Sequence, residues 1–497
     1  MVILGVRRSA GVVVASLLGG GAIVAACGGD TDLSACILPD PADRLALRQQ
    51  TYVKAPAAAS TASRFGAEVA LSADGSTLAV GAPYDPSGAL GVNADPTDRS
   101  RTNAGAVHVF VRSGATWAKE AYLKPASRFA AVEFGRSLAL SKTGDTLIVG
   151  VPEDWNPKFD SSGTAVVFRR SGTRWVEEAY LRPSRGSVAF GTAVALSHDG
   201  DTAVVGAPED TGGTGSDKPC DTPPCRGAAF VFTRASERWK ESAILEPPRS
   251  LDLPSPVFTA VKMGARVALS GDGTVMATLA TGAVATFTRG ATWAFETSAP
   301  LPAPRYEVDR SIGRGMGNRG YVAPWMSLGM SSDGRTIAVG EPYPPSEGNT
   351  FTSRVEIFAR QDAQLRRTAV VQALASRPNS NFGYEIALSA SGTHLAVGAY
   401  ADSGGQGGTN PDPCGATVDF AGAAYLFTLD GAAWKERAFL KGRRVKREAY
   451  FGGSVALDAL GATLVVGAPG DSSSASGIDG DESDTSAPYA GAAYVFR

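Results

Sequence analysis

Residues 190–210 read FGTAVALSHDGDTAVVGAPED. Apolar runs flank Ser197-His198-Asp199-Gly200, and Asp-Gly tolerates the positive φ of a tight reversal, so the stretch predicts two antiparallel strands joined by a short hairpin. Pro208 cannot donate to a sheet ladder, so Gly206-Ala207-Pro208 ends the second strand. The pattern recurs at 65–85 (FGAEVALSADGSTLAVGAPYD), 134–154 (FGRSLALSKTGDTLIVGVPED), 382–402 (FGYEIALSASGTHLAVGAYAD) and 451–471 (FGGSVALDALGATLVVGAPGD). Weaker copies start at Met263 and Trp325, which makes seven in all, about 64 residues apart.

Each copy continues with a Gly-led apolar run that ends in Phe, at 110, 168, 232, 287, 358, 427 and 496. A fourth element follows, as in TWAKEAYLKP (116–125) and RWVEEAYLRP (174–183). Trp117, Trp175, Trp239, Trp293 and Trp434 open these fourth elements at equivalent places, which argues for packing. Four short strands repeated radially make an all-β, seven-bladed β-propeller of four-stranded antiparallel blades. The last unit stops at Phe496-Arg497, after its third strand, while Leu45–Pro56 (LALRQQTYVKAP) resembles the fourth strands. The expectation is that this N-terminal strand closes the seventh blade.

The composition agrees: 59 Gly and 30 Pro in 497 residues suit a turn-dense β-protein, and 43% hydrophobic with 19% charged residues can form a core. Forty-seven Lys and Arg against 49 Asp and Glu give a net charge of −2, which offers nucleic acid no electrostatic footing. Arg7 and Arg8 precede a run without charge from Ser9 to Gly29 that ends Val24-Ala25-Ala26-Cys27-Gly28. A basic start and an apolar stretch read as an export signal. The small residues before Cys27 resemble the lipobox of bacterial lipoproteins, which implies acylation at Cys27 and a lipid anchor in the membrane. The divisions are a signal peptide (1–26), a tether (27–43) and the propeller (44–497). The expected location is the bacterial cell envelope, outside the cytoplasm.

Phe-Gly at the unit start and Gly-Ala-Pro some sixteen residues later resemble the FG-GAP repeat of integrin α-subunit heads and of many bacterial surface proteins. Units four and five depart, with Met263 for Phe, Leu279-Ala280-Thr281 in the GAP region and Glu341-Pro342 for Ala-Pro. The resemblance implies a ligand face and, in many members, calcium in the first hairpin loop. Calcium takes six to eight oxygen ligands, and the turns here (SADGST, SKTGDT, SHDGDT, SGDGTV, SSDGRT, SASGTH, DALGAT) have at most two acids. No metal or cofactor is therefore expected.

Loops between second and third strands share one face with the links between blades, and they are long in units one, three, six and seven. Each opens on an acid, giving ligand-face candidates Asp85, Asp154, Asp210, Asp402 and Asp471, against the alternative that these cap turns. The loop 471–484 clusters acids but reads as solvated, and Asn93-Ala94-Asp95 and Asn410-Pro411-Asp412 are weaker cation candidates still. Cys220 and Cys225 suit a local disulfide in an oxidising compartment; Cys36 and Cys414 can pair or stay free. His108, His198 and His394 share no face for a triad, and no nucleophile elbow, phosphate loop or zinc helix is present. The reading is a non-enzymatic, adhesion-type propeller that binds a protein or glycan on its loop face. The alternatives are a hydrolase acting on carbohydrate or phosphoester at the channel mouth, and a spacer without a ligand.

Overall fold

The seven units fold into seven antiparallel sheets. The computed structural model describes residues 40–55, 62–127, 132–155, 162–187, 189–210, 212, 226–248, 251, 262–280, 282–301, 326–342, 353–374, 380–412 and 417–497. Before residue 40 it describes the backbone of three short strands, Val12–Ala15, Val24–Cys27 and Cys36–Ile37, paired in a sheet of their own. Among the described residues no helix is long and apolar enough to cross a membrane.

Blade 1 consists of Glu68–Leu71, Thr77–Ala82, Ala106–Ser113 and Thr116–Leu123, hydrogen-bonded in sequence order. Blades 2 to 5 repeat that order over Ser137–Leu181, Val194–Leu245, Val267–Pro300 and Ser327–Val371. Blade 6 (Phe382–Lys441) adds a short outer strand, Gly408–Thr409, from its long loop. In blade 7 (Ser454–Phe496) the fourth position is taken by Gln49–Val53, with Tyr52 opposite Tyr494. The N-terminal strand thus closes the ring, as its alternation predicted.

Ring closure is visible at two levels. The first strand of every blade touches the first strands of both neighbours, from blade 1 round to blade 7 and back. At one end the hairpin turns form a circle of backbone hydrogen bonds: Ala73 N–H donates to Lys142 O (3.0 Å), Lys142 to His198 (3.0 Å), His198 to Gly271 (2.8 Å), Gly271 to Ser332 (2.7 Å), Ser332 to Ala390 (2.9 Å), Ala390 to Ala459 (3.1 Å) and Ala459 to Ala73 (2.9 Å). Each turn thereby satisfies a polar group that would otherwise face the channel.

The core lies between blades, one apolar cluster per seam. The unit-opening Phe is buried there, edge-on to the third-strand Phe of its own blade, as in Phe65–Phe110 (6.1 Å, 89°) and Phe451–Phe496 (6.0 Å, 88°). The two glycine motifs meet across every seam except that between blades 4 and 5. A Cβ on Gly206 would lie 1.9 Å from the carbonyl oxygen of Gly264 in the next blade, and one on Gly467 2.1 Å from that of Gly66. Where unit four carries Leu279 in place of the GAP glycine, unit five also lacks the Phe-Gly pair. Both halves of that contact depart together.

Candidate functional site at the channel mouth

The acids after GAP belong to the frame. Asp85, Asp210, Asp402 and Asp471 are all buried. Each accepts the amide two residues on, from Ser87 (3.0 Å), Gly212 (2.9 Å), Gly404 (2.9 Å) and Ser473 (3.0 Å), as a turn-capping Asp does. Each also faces a cation: Lys124 Nζ at 3.9 Å from Asp85, Arg185 Nη2 at 2.6 Å from Asp210, and Lys441 Nζ at 2.6 Å from Asp402. Asp471 takes Lys54 (3.2 Å), Lys446 (2.9 Å), Tyr52 Oη (2.8 Å) and Tyr494 Oη (3.0 Å). As ligand-face candidates these four are therefore corrected: they are consumed inside the protein. Asp154 falls in the prolonged second strand of blade 2, Thr146–Trp155. The lysine ending of the fourth strand, at Lys54, Lys124 and Lys441, was the sequence signal of the partner.

The long loops of blades 1, 6 and 7 fold back onto their own outer strands. Asn93, Asn410 and Asp479 adopt left-handed φ of 54°, 50° and 55°. Their side-chain oxygens accept the amides of Tyr122 (2.9 Å), Phe439 (2.9 Å) and Tyr52 (2.8 Å). Their own amides donate to the carbonyls of the same three residues. The asparagines weighed as cation ligands are thus loop clamps. Asp481 and Asp484 accept from Ser483, Ser474 and Ser486. No group of three or more metal-ligating side chains occurs among the described residues. Cys220, Cys225 and Cys414 lie outside the described residues, and Cys27 and Cys36 lie in strands known by backbone alone.

With the loops laid down, the channel mouth on this face carries the chemistry. Among the described residues, the one before Phe-Gly takes a left-handed φ in five blades, at Arg64 (52°), Glu133 (51°), Ala189 (57°), Asn381 (58°) and Tyr450 (54°). Non-glycine residues rarely do so, and such strain clusters at functional sites. Across the 7/1 seam Arg64 lies over the rings of Tyr84 (5.0 Å) and Tyr489 (5.7 Å), and Tyr489 donates to Glu448 (2.6 Å). That bond pushes the Tyr489 hydroxyl up to about 12. At the 6/7 seam Tyr400 packs against Tyr384 (4.3 Å between centroids) and Tyr450 (6.0 Å), and exposed Phe420 against Tyr450 (6.0 Å). The result is an aromatic arc over blades 6, 7 and 1.

Three residues after the unit-opening Phe or Met, Glu68, Arg266 and Glu385 stand where blades 2, 3, 5 and 7 have Ser137, Ala193, Ser327 and Ser454. All three charged residues are half-buried. Removal from bulk water pushes both carboxyls up, and their mutual repulsion pushes Glu68 further, while Arg266 opposes the shift in each. The Arg266 Nε has no hydrogen-bond partner among the described residues. Sequence reasoning passed these positions over, although a charged residue in a repeat position otherwise held by Ser or Ala was there to be read.

No family model matches the chain. No curated protein matches it either. Among solved structures, it is similar to the periplasmic gluconolactonase PpgL of Pseudomonas aeruginosa, at 14% identity and TM-score 0.43 over 81% of this chain and 98% of that one. It is also similar to the β-propeller domain of Myceliophteria thermophila Cps50 (Swd1), at 12% and 0.46 over 86% and 95%. A third likeness is Sqt1 from Chaetomium thermophilum, at 14% and 0.43 over 89% of each chain. The assignment as a seven-bladed propeller stands on the ring of strands itself.

The opposite, hairpin face holds an open depression of ≈ 650 Å³ lined by His198, Asp272, Ser332, Asp333 and Ser391. Its acids are occupied: Asp272 accepts from Ser270 and Thr274, and Asp333 from Ser331 and Arg335. His108 is buried between Phe65 and Tyr122, and burial, with Lys119 and Lys124 near, drives its imidazole down to about 3. The loop-face mouth is the stronger candidate because it joins an aromatic arc to charged residues from three blades.

Proposed function

We propose that the protein is an exported, lipid-anchored binding propeller of the FG-GAP type, held in a bacterial envelope through Cys27, that takes a protein or glycan ligand on its loop face. The observation that carries the reading is the channel mouth, where the rings of Tyr84, Tyr384, Tyr400, Tyr450 and Tyr489 lie with Arg64, Glu448, Glu385 and Arg266 near them. A fold does not name an activity, and the site has to. Half-buried tyrosines among convergent polar groups are the make-up of a recognition surface.

The test is a protein and glycan array probed with the full chain in a sugar-free detergent, with and without calcium. A saturable hit that Tyr450→Ala abolishes supports the reading, and silence on both arrays refutes it. For the anchor, Cys27→Ser is expected to abolish acyl labelling and membrane retention of the processed form. Normal labelling of the variant refutes lipidation there. One observation favours a second reading, a hydrolase: burial pushes the carboxyls of both Glu68 and Glu385 up, and Glu385 repels Glu68 further, so a proton can be held there for general-acid work. Turnover of a chromogenic glycoside that is lost in Glu385→Gln would move the assignment there.

A further inference from the structure

We infer that the ligand of the channel mouth is a neutral saccharide, its terminal ring laid on Tyr400 and Tyr384 and its hydroxyls shared among Glu385, Glu68 and Arg266. The inference rests on the binding reading above and narrows it from protein or glycan to one chemistry.

Three features converge on it. First, three tyrosine rings meet at the 6/7 seam. Tyr384 and Tyr400 are tilted 58° at 4.3 Å, and Tyr400 and Tyr450 53° at 6.0 Å, all half-buried. The π face of tyrosine is electron-rich, and the axial C–H bonds of a pyranose present a matching positive face. Second, the polar groups near these rings carry both signs. Arg266 and Arg136 lower the Tyr384 hydroxyl pKa while Glu385 raises it, and Glu448 and Arg64 act with opposite sign on Tyr450. An organic cation would be favoured by acids alone and an anion by arginines alone. A sugar hydroxyl donates and accepts at once, so it is served by a carboxylate beside a guanidinium. Third, Arg266 keeps an Nε without a hydrogen-bond partner among the described residues, at the depth of two carboxyls. A buried donor left unmade is costly, and a ligand hydroxyl would satisfy it.

Among the described residues, the loop end of blade 1 at Asn103 and the residue before Phe-Gly of blade 2, Glu133, carry no ring. A sugar ring seated over blades 6 and 7 would therefore have its polar contacts directed into the channel, toward Glu385 on its own blade and Arg266 and Glu68 from blades 4 and 1.

The experiment titrates trimers of glucose, galactose, mannose and N-acetylglucosamine, and a proline-rich peptide pool, onto the full chain by calorimetry in sugar-free detergent. At least one trimer is expected to bind with one-to-one stoichiometry. Tyr400→Ala and Glu385→Gln should each weaken it by about tenfold or more, as loss of one stacking or charged hydrogen-bond partner does. Tyr400→Phe, which keeps the ring, should stay within about threefold, and Asp333→Asn on the far face should have no effect. If Tyr400→Ala does not fold, saturation-transfer NMR on the wild-type chain reads the same contact, through transfer from aromatic protons to the axial sugar protons. Binding of the peptides and of no trimer, or trimer binding that survives both variants, overturns the saccharide inference and leaves the binding module standing. No binding to either probe set, together with silent arrays, overturns both.

Discussion

Replacing Asp471 with Asn should loosen the ring at its closure. The Asp471 carboxylate accepts from Tyr52, Lys54 and Ser473 on one oxygen and from Lys446 and Tyr494 on the other, all buried. Tyr52 and Lys54 belong to the N-terminal closing segment, so one side chain ties that strand to blade 7. Asn leaves two buried ammonium groups without a counter-charge. Breaking a buried pair by removing one partner costs about 3–5 kcal/mol. Unfolding entropy near 60 °C is roughly 2.1 cal/mol/K per residue, so a ring of about 450 residues has about 0.95 kcal/mol/K, and 4 kcal/mol lowers its melting temperature by roughly 4 °C. The local signal is larger. If the closing strand opens as a unit, its exchange protection should fall by roughly two to three and a half decades, at about 1.4 kcal/mol per tenfold.

Scanning calorimetry and hydrogen exchange on the peptide spanning 47–55 measure both quantities. Asp85→Asn in blade 1 is the comparison: it too removes a buried carboxylate beside a lysine, but it should leave exchange of 47–55 unchanged. Acid adds a second reading. Burial raises the Asp471 pKa, but Lys54 and Lys446 outweigh it and hold the carboxyl below its ordinary value of 3.8. A depressed folded pKa means that the stabilisation is complete at neutral pH and is lost as pH falls through that pKa. Wild-type closure should therefore loosen only in strong acid. Unchanged exchange of 47–55 in Asp471→Asn, with a melting temperature within 1 °C or so of wild type, would refute the reasoning.

Glu436 is buried and its pKa is raised by burial from 4.5 to about 7, so the native state holds its proton more tightly and stability falls as pH rises across that window. Glu436→Gln should stabilise by up to roughly 3 kcal/mol at pH 8 and by almost nothing near pH 4.5, read from denaturant midpoints; an equal effect at both pH values contradicts the shift. Gly206→Ala should cost roughly 3 kcal/mol or more, because its Cβ meets the Gly264 carbonyl oxygen at 1.9 Å. Gly114→Ala, in open space at φ +62°, should cost only about 1 kcal/mol. Equal melting temperatures for the two variants would remove the seam argument. Chelator should leave the melting temperature in place, and a drop of several degrees would establish a structural cation.

The number of blades, the strand order and the closing strand were legible in the sequence. They follow from local pattern: a two-residue alternation, a turn residue that accepts positive φ, and a last unit one strand short at Phe496 with a spare strand at Leu45–Pro56. Local pattern also marked the acid after GAP and the lysine ending the fourth strand, without revealing that they meet. The meeting is a tertiary fact, because the pleat brings Lys441 to Asp402 across the third strand, where burial turns two surface-type residues into an ion pair. The same holds for the glycines. Their repetition is in the sequence, but the reason, a backbone approach between neighbouring blades too close for a Cβ, exists only in the closed ring. The channel site was least legible of all. Glu68, Arg266 and Glu385 come from blades 1, 4 and 6, and only curvature of the whole sheet set into a circle directs one register position of each toward a common axis.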